Sequence, residues 1–177
     1  MRTLIRGGQI IDGIRPEPFS NTGVYIDGES IEGMDAVQSS PRVDFEIDAE
    51  GMTILPGFID AHLHLLGISS LDFPRVVVTE PAPLCAIRAA ADAERLIRAG
   101  YTTVRSAGSS VEVAVRNAIR ERRVNGPTVL AANRIISQTG GHGDIHSLSL
   151  SLLAGLYEMP ARLADGPWDC RKAVREQ

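Results

Sequence analysis

The sequence predicts an α/β fold with a parallel sheet, preceded by a segment of short strands. From residue 56 onward, strand-like runs alternate with runs of helical periodicity, an order typical of βαβ units. Before residue 56, short strand-like runs are separated by glycine-containing turns. We therefore predict two segments, a β-rich segment over 1–55 and β/α units over 56–177.

The composition is that of a globular protein, since 44% of the 177 residues are hydrophobic and 23% are charged. The net charge of -4 supplies no basic surface, so nucleic acid is not an expected partner. No apolar run has the length of a signal peptide or a membrane span, and Cys85 and Cys170 lack metal-ligand spacing. These features predict a cytoplasmic protein with reduced thiols and no membrane partner.

The first segment contains several predicted strands. Residues 4–5 and 9–11 flank a pair of glycines, and residues 24–26 lead into a turn at Asp27-Gly28. Residues 43–48 alternate apolar and acidic side chains, which predicts a half-buried strand with one solvated face.

The strand that follows Pro56-Gly57 carries two histidines two positions apart, His62 and His64. Side chains alternate between the faces of a strand, so Asp60, His62 and His64 are predicted to share one face. Two adjacent imidazoles can hold one divalent ion, and zinc suits neutral imidazole nitrogen. Asp60 could accept the second ring N–H of a ligating histidine or shape the strand end. The spacing alone also fits two histidines with structural hydrogen bonds.

Two helices are predicted after this strand. Residues 84–99 are alanine-rich, and Gly100 follows at the position where helix ends favour glycine. Residues 111–122 carry apolar side chains at helical spacing, with Glu112 among the charged side chains predicted to face outward. Pro127 follows that helix and prevents its continuation.

Two further strands complete the predicted βαβ order, one over 101–105 and one that runs from 128 to 136. In parallel β/α folds, active residues lie at the carboxyl ends of strands. The pair of histidines, Arg105 and the loop after Ile136 are therefore predicted to meet at one edge of the sheet. Arg105 could contact substrate there or serve as a structural partner of a neighbouring loop.

The loop over 137–146 is rich in glycine and contains His142 and His146. Glycine lets the main chain approach a ligand closely, but the lysine of a phosphate-binding loop is missing. His142 could donate to a substrate carbonyl or carboxylate, or make a structural hydrogen bond. Residues 147–160 are predicted to cover the site as a loop and short helix, residues 161–168 to form a loop, and residue 169 to begin a helix.

Three stretches carry a resemblance to a known family. The string Leu-Pro-Gly-Phe-Ile-Asp-Ala-His-Leu-His, which ends at His64, resembles the first barrel strand of the amidohydrolase superfamily. Residues 139–143, Thr-Gly-Gly-His-Gly, resemble the third-strand loop of its imidazolonepropionase-like and Xaa-Pro dipeptidase-like branch. Residues 102–108 resemble the second strand of that branch, although the family usually carries aspartate where Ser106 stands.

The resemblance implies a partial TIM-barrel-like metal-dependent hydrolase fold with an N-terminal β-sandwich segment. It implies that His62 and His64 are metal ligands supported by Asp60, and that His142 and Arg105 bind substrate. One or two divalent ions, with zinc expected, would activate water for hydrolysis of an amide, peptide-like or cyclic-amide C–N bond. The expected substrate is a small amide or a dipeptide-like molecule.

The resemblance also implies residues that this sequence does not contain. A complete barrel takes about 250 residues, whereas 121 follow Pro56 here. The bridging lysine and the general-base aspartate of the family are expected beyond Gln177, since Lys172 is the only lysine and lies on no predicted strand. Three interpretations remain open: the N-terminal part of an amidohydrolase, a non-catalytic half-barrel module, or a simple metal-binding protein. A homo-oligomer or a complementing C-terminal chain would be the partner.

Overall fold

The computed structural model describes residues 1–35, 42–68, 71–72, 75–76, 79–146, 149, 151–152 and 161–177. The chain divides into two compact units, Met1–Pro56 and Gly57–Gln177. Within the described ranges, every helix is too short or too polar to cross a bilayer.

The unit Met1–Pro56 consists of short strands, as predicted. Its described strands are β1 (Arg2–Arg6), β2 (Gln9–Ile10), β3 (Gly23–Asp27), β4 (Ser30–Asp35), β5 (Phe45–Asp48) and β6 (Thr53–Ile54). Four of them form the main sheet in the order β4-β3-β1-β5, in which β1 pairs antiparallel with β3 and parallel with β5. The predicted turn at Asp27-Gly28 joins β3 to β4. A separate parallel pair joins β2 to β6.

The predicted strand at 43–48 forms as β5, but the prediction that it is half-buried is wrong. All four of its residues are exposed, including Phe45 at 56% and Ile47 at 41%. Among the described residues, β5 lies at the edge of the sheet and pairs only with β1. Alternation of apolar side chains identifies one face of a strand, but burial of that face needs a second layer, and the described residues of this unit supply none over β5.

The unit Gly57–Gln177 begins with the predicted order of strand, helix, strand, helix and strand. Its described elements are β7 (Phe58–Leu63), α1 (Ala82–Arg98), β8 (Tyr101–Ser106), α2 (Ser110–Arg120), β9 (Thr128–Ala131), β10 (Ile135–Ser137), β11 (Ala161–Leu163) and α3 (Gly166–Glu176). Three of the strands form a sheet that is parallel throughout, in the order β7-β8-β9. A second, two-stranded parallel sheet joins β10 to β11.

The core of this unit lies between one face of the sheet and the helices α1 and α2. The small side chains of Ala89 and Ala93 let α1 pack closely on the strands, where Val104 and Val129 are buried. Gly67 permits a second close approach, because a Cβ there would lie 1.9 Å from the Cys85 carbonyl oxygen. The predicted helices over 84–99 and 111–122 are confirmed, each within two residues of its predicted ends.

The opposite face of the sheet is open. The register pairs Ile59 with Thr103 and Arg105 with Leu130, so these side chains share the face that points away from Val104. Ile59 is 71% exposed and Leu130 is 54% exposed. We call this surface the open face.

Two predictions at the carboxyl end of the chain are wrong. Residues 128–136 form two strands in different sheets, because the chain turns at Asn133, whose φ is +63°. Residues 161–168 contain β11 and the start of α3 instead of a loop, since pairing with β10 stabilises a strand too short to be recognised alone. The predicted covering segment at 147–160 lies largely outside the described residues.

Candidate metal centre

The two histidines lie at the carboxyl end of β7, His62 inside the strand and His64 just after it. Both side chains are exposed, and the centroids of their rings are 5.3 Å apart with the ring planes at 86°. Zn–N bonds of about 2.1 Å would place the centroids of two rings on a shared tetrahedral ion about 5 Å apart. The observed separation therefore fits two imidazoles that share one ion.

The residues between and after the histidines determine this orientation. Leu63 packs against the core and pairs with Ser106, and Leu65 is buried. Because side chains alternate along an extended chain, both imidazoles point to the open face. The packing of Leu63 and Leu65 into the core thus places the two imidazole rings side by side on the open face.

Asp60 does not follow the predicted alternation. A register shift lies between Asp60 and Leu63, and Asp60 pairs with Val104, whose side chain is in the core. The Asp60 Oδ1 atom accepts a hydrogen bond from the backbone N–H of His62 at 3.0 Å. The Asp60 carboxylate thus binds the backbone of its own strand in this structure.

Ser106 supports the chain directly after the histidines. Its side chain is fully buried, and its Oγ accepts a hydrogen bond from the backbone N–H of Leu65 at 2.9 Å. This bond ties the carboxyl end of β8 to the segment that follows His64. The hydroxyl thus supplies a hydrogen bond at the position where the family usually carries a carboxylate.

We expect Ser106→Ala to lower the free energy of unfolding by about 1–2 kcal/mol, because it leaves the buried N–H of Leu65 without an acceptor. Urea denaturation measures the effect, with Ser20→Ala as a control at an exposed serine. Equal stability of the two variants would show that the Leu65 N–H finds another acceptor.

Arg105 lies on the open face, near the end of β8, and its side chain is exposed. It makes no ion pair with another described residue. Since His62 and His64 point to the same face, Arg105 is the one predicted substrate-binding residue that the sheet places beside the histidine pair. A free guanidinium there can bind a carboxylate or a carbonyl oxygen.

Glu112 is a feature that the sequence prediction missed. Predicted to face outward, it is fully buried and accepts hydrogen bonds from the backbone N–H groups of Gly108 (3.1 Å), Ala132 (2.8 Å) and Asn133 (3.0 Å). One carboxylate thus joins the ends of β8 and β9. The available signal was the capping-box pattern Ser109-x-x-Glu112, in which the glutamate turns back toward the helix start.

The loop that contains His142 follows β10 and is held by its own hydrogen bonds. The Asp144 carboxylate accepts from the N–H of Gly140 at 2.9 Å, and the Ser137 hydroxyl accepts from the N–H of Gly143 at 3.1 Å. His142 is exposed, and its side chain makes no hydrogen bond to any other described residue. The loop therefore has a defined backbone and a free imidazole.

His146 lies in the same loop but has a partner. Its Nε2 atom is 3.4 Å from a carboxylate oxygen of Asp144, and its side chain is 69% exposed. His146 thus has a partner within the loop, whereas the side chain of His142 has none among the described residues.

α3 is joined to β11 by charged side chains. The Arg162 guanidinium donates to the carboxylates of Asp169 (2.6 Å) and Glu176 (2.8 Å), two turns apart on α3. These bonds raise the pKa of Arg162 and lower that of Asp169. Hydrogen bonds from the hydroxyl and N–H of Thr139 lower the pKa of Asp165, which directly precedes α3.

We expect α3 to loosen on acidification before the rest of its unit. Asp165 and Asp169 have pKa values below the ordinary 3.8 in the folded chain, so their stabilisation is present above pH 3.8 and is lost as pH falls through the lowered values. Trp168, the only tryptophan, lies on α3 and reports the change by fluorescence. The double variant Asp165→Asn, Asp169→Asn is expected to abolish this acid transition; a transition unchanged in it would contradict the assignment.

Within the described ranges of the chain, no group of three or more His, Cys, Asp or Glu side chains has the geometry of a metal site. The described residues thus supply a pair of imidazoles and no third ligand. A complete site needs at least one further ligand from elsewhere.

Comparison with known proteins identifies the family. The model of the amidohydrolase family matches residues 53–177, more than half of the chain. The chain belongs to the amidohydrolase family. Within the matched residues, His62 and His64 lie at the carboxyl end of β7.

Individual amidohydrolase relatives cover nearly the whole chain. An ochratoxinase from Aspergillus niger is 30% identical over an alignment that covers 99% of this chain and 39% of the relative. An imidazolonepropionase from Salinispora arenicola is 26% identical and covers 84% of this chain and 38% of the relative. The crystal structure of a Xaa-Pro dipeptidase with bound methionine superposes with a TM-score of 0.83 at 31% identity, over 99% of this chain and 44% of that one. The chain thus spans about two fifths of the length of these relatives.

Proposed function

We propose that this chain is the N-terminal, metal-binding part of an enzyme that hydrolyses amide, peptide-like or cyclic-amide C–N bonds. The observation that carries the proposal is the exposed pair of imidazoles, His62 and His64, at the carboxyl end of β7 in a chain of the amidohydrolase family. The names of the relatives, ochratoxinase and Xaa-Pro dipeptidase, support a substrate with an amide or dipeptide-like bond.

In this proposal, His62 and His64 bind a divalent ion through ring nitrogens, with zinc the expected metal and one or two ions in the complete site. The ion, when bound, acidifies a water molecule and polarises the scissile carbonyl. Arg105 and His142 donate to the carboxylate or carbonyl oxygen of the substrate and orient it. The general-base aspartate and the bridging lysine would be supplied by residues outside this sequence.

We further propose that β7, β8 and β9 are the first strands of a TIM-barrel-like sheet, and that residues 1–55 belong to a composite β-sandwich. The exposed Ile59 and Leu130 on the open face support the first part, because a barrel interior would cover them. The exposed apolar residues Phe45 and Ile47 support the second, because a facing sheet would bury them.

The same exposed surfaces favour an assembly over an isolated chain. The other strands of the barrel could belong to the same protein, to a complementing C-terminal chain or to a second copy of this chain. We propose a cytoplasmic location for the assembly. In the alternative function, the chain is a non-catalytic half-barrel module that stabilises such an assembly. The edge of the parallel sheet at β9, which pairs with no further strand among the described residues, supports either arrangement.

The experiment that tests the function compares the isolated chain with the chain carrying any sequence that its gene encodes after Gln177. We expect the longer protein to contain stoichiometric divalent metal and to hydrolyse Xaa-Pro dipeptides or cyclic amides, and the isolated chain to bind metal weakly. Metal analysis and a hydrolysis assay on both preparations measure this. Stoichiometric metal without hydrolysis of any amide would favour the simple metal-binding protein instead.

We call the longer protein, if it hydrolyses the substrate, the active preparation. In the active preparation, we expect His142→Ala to raise KM by about tenfold, because one hydrogen bond to the substrate is lost. Bound metal is expected to stay unchanged, since His142 belongs to a loop and not to the histidine pair. His146→Ala is the matched control, because this exposed histidine of the same loop contacts Asp144. Loss of metal in His142→Ala would show that the loop supplies a ligand.

A further inference from the structure

Asp165 occupies the N-cap position of α3, yet its side chain does not cap the helix. An N-cap aspartate normally accepts from the N–H group two or three residues later. Here the residue two positions later is Pro167, which has no N–H group. The carboxylate of Asp165 is therefore available for another partner.

That partner is Thr139, 26 residues earlier in the chain. Oδ1 of Asp165 accepts from the backbone N–H of Thr139 at 3.0 Å, and Oδ2 accepts from its hydroxyl at 2.5 Å. The backbone N–H of Asp165 donates to Asp169 Oδ2 at 3.2 Å, and Asp169 is bound in turn to Arg162. The aspartate is thus fixed on the β11–α3 connection and holds Thr139 at two points.

Thr139 begins the turn that presents His142. Gly140 follows it with a φ of +71°, and its N–H donates to Asp144 Oδ2, while the N–H of Gly141 donates to the carbonyl of Gln138. The backbone N–H of Ala164 donates to the carbonyl of Ser137 at 2.8 Å, which fixes the chain before the turn to the same β11–α3 connection. Among the described residues, Asp165 is the one that holds Thr139 to this connection by hydrogen bonds. The contact therefore helps to set where the turn lies relative to the start of α3.

We propose that Asp165 is a positioning residue that holds the His142 loop in place for substrate binding. This inference rests on the proposed function, because it assigns His142 to the substrate. α3 is also joined to β11 by the ion pairs of Arg162 with Asp169 and Glu176, and these pairs do not involve Asp165.

The test compares Asp165→Ala and Asp165→Asn with Glu176→Ala, which removes an α3 carboxylate that does not contact the loop. Hydrogen exchange is measured at the Thr139 and Gly140 amides of the 177-residue chain. We expect exchange at Thr139 to accelerate about tenfold or more in Asp165→Ala, because a bond to a charged acceptor is lost. Asp165→Asn, whose amide oxygen can still accept, is expected to restore part of the protection, and Glu176→Ala to leave the Thr139 rate unchanged.

The second readout is KM in the active preparation. Asp165→Ala is expected to raise KM with bound metal unchanged, and to add nothing in a His142→Ala background, because both variants act through the same imidazole. An unchanged Thr139 exchange rate in Asp165→Ala would overturn the positioning role, whatever happens to KM. An unchanged KM in His142→Ala would overturn the substrate role of His142 and so the proposed function of this loop, whatever happens to the exchange rate.

Discussion

Replacement of both His62 and His64 with alanine is expected to abolish stoichiometric divalent metal in the active preparation and, with it, amide hydrolysis. The ring centroids of the two side chains are 5.3 Å apart, and no group of three or more His, Cys, Asp or Glu side chains among the described residues has the geometry of a metal site. Each single variant leaves one imidazole and is expected to weaken binding without abolishing it. Metal analysis after dialysis measures the effect.

The matched control is His142→Ala, His146→Ala, which removes the same number of imidazoles from the loop after β10. This variant is expected to keep its metal. Unchanged metal in the His62, His64 double variant would refute the ligand assignment. Because both side chains are exposed, the alanine variant is expected to unfold at the same urea concentration as the parent chain, so loss of metal would not reflect loss of fold.

Glu112→Ala is expected to lower the free energy of unfolding by about 3 kcal/mol, the largest stability effect we expect for an acidic residue of this chain. Its buried carboxylate accepts from three backbone N–H groups at the ends of β8 and β9. Removal leaves these donors without their acceptor and frees both strand ends. Urea denaturation followed by circular dichroism measures the loss.

Glu112→Gln tests how much of the effect depends on having two acceptor oxygens in the side chain. Its amide keeps one acceptor oxygen but directs an NH₂ group toward a backbone donor, so we expect a smaller loss of about 1–2 kcal/mol. Glu121→Ala, at an exposed glutamate at the end of the same helix, is expected to change stability by less than about 0.5 kcal/mol. Equal losses in Glu112→Ala and Glu121→Ala would show that the N–H groups of Gly108, Ala132 and Asn133 do not depend on the carboxylate.

Prediction from sequence worked best where a local pattern is long. The alanine-rich run at 84–99 and the apolar positions of 111–122 each span several helical turns, and both helices form. Prediction failed at Ala161–Leu163, because three residues carry too little pattern to be recognised as a strand. It failed also at Glu112, because charge predicts exposure unless the partners of the side chain are known.

The sequence by itself determined the order of elements, the presence of the His62-x-His64 pair and the resemblance to the amidohydrolase family, since these depend on residues close together in the chain. Only the tertiary structure decided that Asp60 leaves the histidine face, that Ser106 and Glu112 satisfy distant backbone N–H groups, and that Asp165 holds Thr139. The hydrogen bonds of Ser106 with Leu65, Glu112 with Ala132, and Asp165 with Thr139 each join residues at least 20 positions apart. Hydrogen bonds over such separations arise from packing, which local periodicity does not encode.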